Sequence, residues 1–527
     1  MPILKQTKNG GSGGGGYGSI PSSENEKDDD VYVVEISADD DDDDDDDDND
    51  PKIAEEGGGG SRLFQRLNTA MLSFHTDRPV GSGLVYKARQ SIRHTITTML
   101  PESSGPQFSV RDVQGSATIP VEVVNLVKNI VGSGALALPS GIAAFSNNPS
   151  GLIGGAVWIM VMGGIFAYFF LMIGRTCKIT QTATYAEAWE RTMGVKGSGL
   201  VALSVALKAG IGNLECSMIL ADSFRDLING SLGLSISRVL ALLLVTIVSL
   251  LPLCLLKNLA VLAPFSGLGL LAMIFTAIAI TVRYFDGSYE EGGQFYNDIE
   301  DDYKPSFGST GLIGAIQLPV LFFLCMVSEA YTAHYNAPRF WIELKKRTVP
   351  RYAKVVVSSF SISALYYVFV TSFGFLTFGG ASAGMILNNY STHDILASIS
   401  RACVGFSLIF GYPLIFVGFR DAMLDVCMIP SELQTAANLN AITIGLLTVI
   451  TILAMFLEDL GVVVAFGGGG LSTIVVFIVP TMMFNNSVDL LGDKASPMHK
   501  KETILATILM WIGIFIGVVG VVLALTK

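Results

Sequence analysis

The chain has 527 residues, half of them hydrophobic, a mean hydropathy of +0.51 and only 15% charged residues. No soluble domain hides that much apolar surface, so the sequence describes an integral membrane protein. The net charge of -12 belongs to one end: residues 1–117 carry 22 acidic and 11 basic side chains, which leaves 24 and 23 for everything else. No nucleic-acid partner is expected of a body so nearly neutral.

Residues 1–116 form a polar tail. Glycine runs at Gly10–Gly16 and Gly57–Gly60 flank an unbroken acidic block, Asp39–Asp48. Such a segment buries too little apolar surface to fold and is expected to be a disordered cytoplasmic tail. The first apolar segment follows more than 100 residues of it, so no secretory signal is expected, and the first span itself directs the chain to the membrane. Six cysteines (Cys177, Cys216, Cys254, Cys325, Cys403 and Cys427) lie in or beside apolar runs without a CxxC pair. Neither a metal site nor a disulfide framework is expected, and no cofactor.

The membrane domain, 117–527, opens with IPVEVVNLVKNIVGSGALALPSGIAAF from Ile119 to Phe145. The run is long enough to cross a bilayer, which takes about 20 residues. Gly132-Ser133-Gly134 interrupts it, and Pro139 follows. Glycine weakens a helix and proline removes a donor. In hydrocarbon an opened backbone is tolerated only inside protein or beside a watery cavity. A helix broken at mid-membrane is a candidate binding site, with free N–H groups of one half-helix aimed at an anion. The plainer reading is that the glycines only let a neighbouring helix approach.

Ten further apolar spans follow, near 151–177, 200–227, 239–256, 259–282, 311–334, 353–378, 395–419, 441–457, 461–484 and 504–525, for eleven in all. Loops after the even-numbered spans carry 15 Lys and Arg, against six on the other side. The positive-inside rule puts the N-terminus in the cytoplasm and the C-terminus outside or in a lumen. Two sequons, at Asn229 and Asn389, then fall outside and are glycosylation candidates.

Span 3 carries Lys208, Glu215 and Asp222 seven residues apart, on about one helix face. Ionisable groups at membrane depth are costly and face the interior, as a proton relay or as a structural charge network. Span 6, LPVLFFLCMVSEAYTAHYNAPRFWIELKKR from Leu318, turns polar early, through Ser328, Glu329, Thr332 and His334 to Pro338. A helix that unwinds around Tyr331–Tyr335 and resumes as a short piece fits it. Spans 1 and 6 each open a set of five, and interrupted spans at corresponding positions of two halves point to an inverted-repeat site. Glu329 is either a proton acceptor or the partner of a nearby cation. An ordinary helix ending in a polar loop remains the plainer account of span 6.

Three stretches resemble the amino acid/auxin permease family: NLVKNIVGSGALALP, EAYTAHYNAPRFWIEL and EDLGVVVAFGGGGLSTIVVFIVPTMMF, in order at spans 1, 6 and 10. The resemblance covers all eleven spans and excludes the tail. It implies an all-α, LeuT-like 5+5 inverted repeat plus one helix, with helices 1 and 6 discontinuous. It implies transport of amino acids coupled to Na⁺ or H⁺. Carried over by position, Val131, Gly132, Ser133, Gly134 and Ala135 hold the substrate carboxylate through backbone N–H groups. Thr332, Ala333 and His334 face the amino group and side chain.

Sodium-coupled relatives resemble one another in an Asn where this chain has Lys128, and in a segment-8 Thr where it has Ile409 and Gly411. Sodium wants neutral or anionic oxygens, so the resemblance leans to protons, with Asn125 and Ser407 as remaining oxygen ligands. Together with Lys128, Lys208, Glu215 and Glu329 they make up the ion-coupling candidates. The leading function is a secondary active transporter of amino acids, neutral ones being the substrates implied, coupled to protons or sodium, in a plasma membrane or a vacuole or lysosome. A non-transporting amino-acid sensor is the alternative. An intramembrane enzyme would need a catalytic constellation that the sequence does not show.

Overall fold

The computed structural model describes residues 115–526 apart from Lys196, 257–261, Met428, 430–432 and 493–494. The expected disorder of the tail concerns residues almost all outside the described ones, as are Lys196, Lys257, Lys494 and Lys527 of the loop charges. Regular structure among the described residues is helical, with two isolated parallel bridges, Ala117–Leu344 and Ser306–Gly379.

The first span is two pieces. Helix α1 runs Ile119–Ile130, with Pro120 in its opening turn, where its missing N–H costs nothing. A 3₁₀ turn, Ser133–Ala137, leads into α2, Leu138–Ala143. The two axes meet at 50°. Helices α3 (Gly151–Thr180), α4 (Tyr185–Met193) and α5 (Ser198–Leu232) follow. The short α4 is started by a full capping box between Thr184 and Glu187. Next come α6 (Arg238–Val245), a π turn over Thr246–Leu250, and α7 (Leu251–Cys254), then α8 (Ala263–Phe285).

The sixth predicted span is also two pieces: α9, Val320–Tyr331, and α10, Ala337–Glu343, joined through a 3₁₀ turn, His334–Asn336. Its helix starts later than the apolar run from Gly311, because Pro319 cannot donate to a preceding turn and restricts the residue before it. The chain continues with α11 (Val349–Phe378), α12 (Ile395–Val426) and α13 (Ala436–Phe456). Helix α14 (Leu460–Phe466) passes through a π stretch, Gly467–Ile478, into α15 (Val479–Leu491), and α16 (Pro497–Thr526) ends the bundle.

Among the described residues eight helices are long and apolar enough to span a membrane, and a ninth if the bent first pair is one span. The other two of the eleven expected spans fall on shorter helices, α6–α7 and α9–α10.

In lipid, helices associate by close packing rather than by hiding apolar surface, so small residues mark the contacts. The π stretch shows this at Gly468, where an added Cβ would stand 2.8 Å from the Glu329 nitrogen and overlap the Cys325 carbonyl. The glycine run brings this span against α9. Helix α11 lies along α1, α2 and α3, and α5 lies along α12.

Candidate functional site

The two interruptions lie side by side. Helix α1 stops when Val131 turns to φ −74°, ψ 102°, and Gly132 continues extended at φ −135°, ψ −159°. Helix α9 stops when Thr332 turns to φ −77°, ψ 102°. They meet at Gly134, where an added Cβ would lie in van der Waals contact with the Ala330 Cα at 3.4 Å and its Cβ at 3.6 Å. The first N–H groups of the resumed turn, from Gly132 to Gly134, have no helical carbonyl behind them. They are the polarity that suits a carboxylate.

Two carbonyls are freed as well. In an unbroken helix the Ile130 and Ala330 carbonyls would accept from residues 134 and 334. Here the Tyr367 hydroxyl of α11 takes both, at 2.8 Å to the Ile130 oxygen and 2.6 Å to that of Ala330. Below the breaks, the Ala117 N–H donates to the Glu343 carbonyl at 3.0 Å and the Lys345 N–H to that of Ala117 at 2.8 Å, tying the start of α1 to the end of α10.

The predicted substrate residues are gathered at this place. Val131, Gly134 and Ala135 are buried, and Gly132 is exposed. Ser133 opens the 3₁₀ turn. On the other side Ala333 is buried, and the Thr332 hydroxyl donates back to the Ser328 carbonyl at 2.6 Å. His334 is fully buried. Its Nε2 pairs with the Phe166 carbonyl at 2.9 Å, and its ring stands edge-on to Phe166 and Phe170 of α3. In this arrangement the imidazole faces helix α3.

The ionisable candidates divide. Lys208 pairs with Glu329 across α5 and α9, both buried, and the Ser472 hydroxyl donates to the second Glu329 oxygen at 3.0 Å. Glu215 and Tyr335 lie within electrostatic reach of Lys208. Asp222 does not join them. It takes Arg238 at 2.7 Å and Asn388 at 3.1 Å. At 1.5 Å per residue, the 14 residues between Lys208 and Asp222 put it about 21 Å along the helix. It belongs to a structural charge network at that end.

Lys128 is half-buried in the last turn of α1, and Asn125 is exposed one turn earlier. Ser407 packs against Gly269 of α8, where an added Cβ would stand 2.7 Å from its oxygen. The two glycosylation candidates also part. Asn229 is half-exposed and closes its loop by accepting from the Ile236 N–H at 2.8 Å. Asn389 has no exposed surface, accepts from the Ala383 N–H and donates to the Ala381 carbonyl, both at 2.8 Å. The folded chain does not present it to a glycan, because both ends of the amide are already committed.

Sequence reasoning missed Tyr367 and Ser472. Ser472 lies in the quoted span-10 motif, whereas Tyr367 reads as one more aromatic in an apolar span. The recess between Met162, Cys325, Gly468 and Gly513, where α9 meets the last helices, has no room for a water.

A bundle of membrane helices with paired interruptions has the features of a membrane carrier. The chain belongs to the transmembrane amino acid transporter protein family, whose model matches residues 115–527. It is a membrane amino acid transporter and not an enzyme. It is 24% identical over 410 residues to the putative sodium-coupled neutral amino acid transporter 11 of Bos taurus, covering 77% of this chain and 82% of that one. Against the Homo sapiens protein of that name the identity is 25%, over 66% and 82%. Against the vacuolar amino acid transporter 2 of Saccharomyces cerevisiae it is 21%, over 60% and 63%. Among solved structures it is similar to MhsT in complex with L-phenylalanine, with 12% identity, a TM-score of 0.49 and coverage of 77% and 99%.

Proposed function

We propose that the chain is a secondary active transporter of neutral amino acids with eleven spans in a LeuT-like 5+5 inverted repeat plus one helix. It works by alternating access around the interruptions of the first and sixth spans. The observation that carries this is the pair of matched breaks, Val131 and Thr332, held together at Gly134 and Ala330. Backbone N–H groups at residues 132–134 take the α-carboxylate that all amino acids share. Side chains about Thr332 and Ala333 leave specificity to the substrate's other end.

Protons are the proposed coupling ion. A lysine at position 128 and a Ser407 packed onto α8 give sodium a poor oxygen cage. Sodium is the second reading, favoured by the names of the mammalian relatives. The N-terminus is proposed to be cytoplasmic. In support, the loops after the even-numbered spans carry 15 Lys and Arg, against six on the opposite side. The yeast relative's name favours a vacuolar membrane, and the plasma membrane is the other setting.

The test is uptake of a panel of radiolabelled amino acids into proteoliposomes under an imposed pH gradient, with and without sodium. Accumulation that follows the pH gradient in sodium-free buffer is expected. Saturable binding without flux would make the protein a sensor instead, and flux only with sodium would replace the proton.

A further inference from the structure

We infer that Tyr367 is the positioning residue of the substrate site: its single hydroxyl ties the carbonyl ends of both interrupted helices and stands where a bridging cation would otherwise be required. This rests on the reading that the two breaks bind the substrate.

The C-terminal end of a helix carries the negative end of its dipole. Helices α1 and α9 both end here, so two such ends converge and repel unless something positive lies between them. In carriers with broken helices, half-helix carbonyl ends commonly coordinate the coupling cation. In this chain the Tyr367 hydroxyl lies between them, at 2.8 Å and 2.6 Å, ordinary lengths for O–H···O bonds. It has one proton to give, so the two carbonyls share it.

The ring is fixed for the purpose. Tyr367 has no exposed surface and stands edge-on to Tyr331, with centroids 5.0 Å apart at 70°. It rides on α11, which lies along both halves of the first span. The residue beside it is a natural control: the Tyr366 hydroxyl donates at 3.1 Å to one carbonyl, Met273 of α8, away from either break.

The experiment compares the full-length protein with Tyr367→Phe and Tyr366→Phe in proteoliposomes, using radiolabelled L-alanine, L-leucine and L-glutamine. Hydrogen–deuterium exchange is followed in peptides covering 126–135 and 326–335. Orphaning two buried acceptors is expected to raise the KM of Tyr367→Phe about tenfold, with kcat within about twofold, and to speed exchange in both peptides. Tyr366→Phe is expected to match the wild type in both readouts. Unchanged exchange at the two breaks, equal impairment by the two variants, or exchange raised throughout the chain would overturn the assignment. Exchange does not depend on flux. A wild type that moves none of the three probes would therefore count against the transport reading, while the peptides still decide the tie.

Discussion

Val131 and Thr332 leave their helices through one and the same backbone turn, with φ and ψ of −74° and 102° at the first and −77° and 102° at the second. The two residues sit in stretches with no sequence in common, IVGSGAL and AYTAHYN. What they share is the requirement: a helix must stop inside the bundle, expose amides and carbonyls, and resume within a few residues. Glycine allows it in the first span. In the sixth, the polar residues from Thr332 to Asn336 supply local partners, and Pro338 enters the first turn of the resumed helix, where it is tolerated.

The contact between the two turns leaves room at Gly134 for little more than a Cβ, which would already lie in van der Waals contact with Ala330. Gly134→Leu places a branched side chain against Ala330, whose Cα an added Cβ already touches at 3.4 Å. Overpacking of this kind costs about 1–3 kcal/mol, which a bundle of this size survives. Uptake in proteoliposomes is expected to fall below detection while the purified variant elutes as wild type on size exclusion. Retained uptake would remove the residue 132–134 amides from the substrate site.

The Lys208–Glu329 pair is buried, and Ser472 is bonded to it. Removing one charge strands the other in a dry place, so Lys208→Met or Glu329→Gln alone is expected to cost about 3–5 kcal/mol of stability. The double variant is expected to recover most of that loss in a thermal unfolding assay. The groups facing the pair are Glu215 on α5, Tyr335 beyond the α9 break and Ser472 on the π stretch. If the pair passes protons, the refolded double variant loses accumulation driven by a pH gradient. A stable double variant with wild-type pH dependence would make the pair structural.

Much of the site was legible because interruptions of a membrane span need unusual residues. Gly132, Gly134 and Pro139 inside an apolar run have few uses, and a span that turns polar at Ser328 has few others. The charges at Lys208 and Glu329 were visible too, but not their pairing, since the partners are 121 residues apart and no local pattern couples them. Tyr367 was hidden for the opposite reason: in SALYYVFV a buried tyrosine that bridges two helix ends looks like one that only packs. The eleven spans were read from hydropathy alone. Hydropathy does not see that Pro319 delays α9 or that a π turn splits α6 from α7.

Asn389 separates a sequon from a structural amide. Its side chain joins Ala381, Ala383 and, at 3.4 Å, the Tyr303 carbonyl. Asn389→Ala leaves these buried groups without partners and is expected to cost about 1–3 kcal/mol in a thermal unfolding assay. Asn389→Gln is expected to leave electrophoretic mobility unchanged before and after deglycosylation, because the folded site is closed. If a glycan is attached at all, Asn229→Gln removes it. A mobility shift from Asn389→Gln would mean that the loop is modified before it packs.

Lys128 is the sharpest test of the coupling ion. Its ammonium lies in the last turn of α1, one turn before the break, where a positive charge is favoured by the helix dipole. Among the described residues it forms no salt bridge, so its removal strands no carboxylate and Lys128→Asn is expected to fold. A positive charge one turn before the break disfavours a second cation there. Replacing it with a neutral amide adds an oxygen and removes that repulsion. Proton-driven accumulation is therefore expected to fall, and sodium is expected to stimulate uptake in the variant where it does not in the wild type. Uptake with an unchanged pH profile and no response to sodium would take Lys128 out of the mechanism and leave the coupling to the buried pair on α5 and α9.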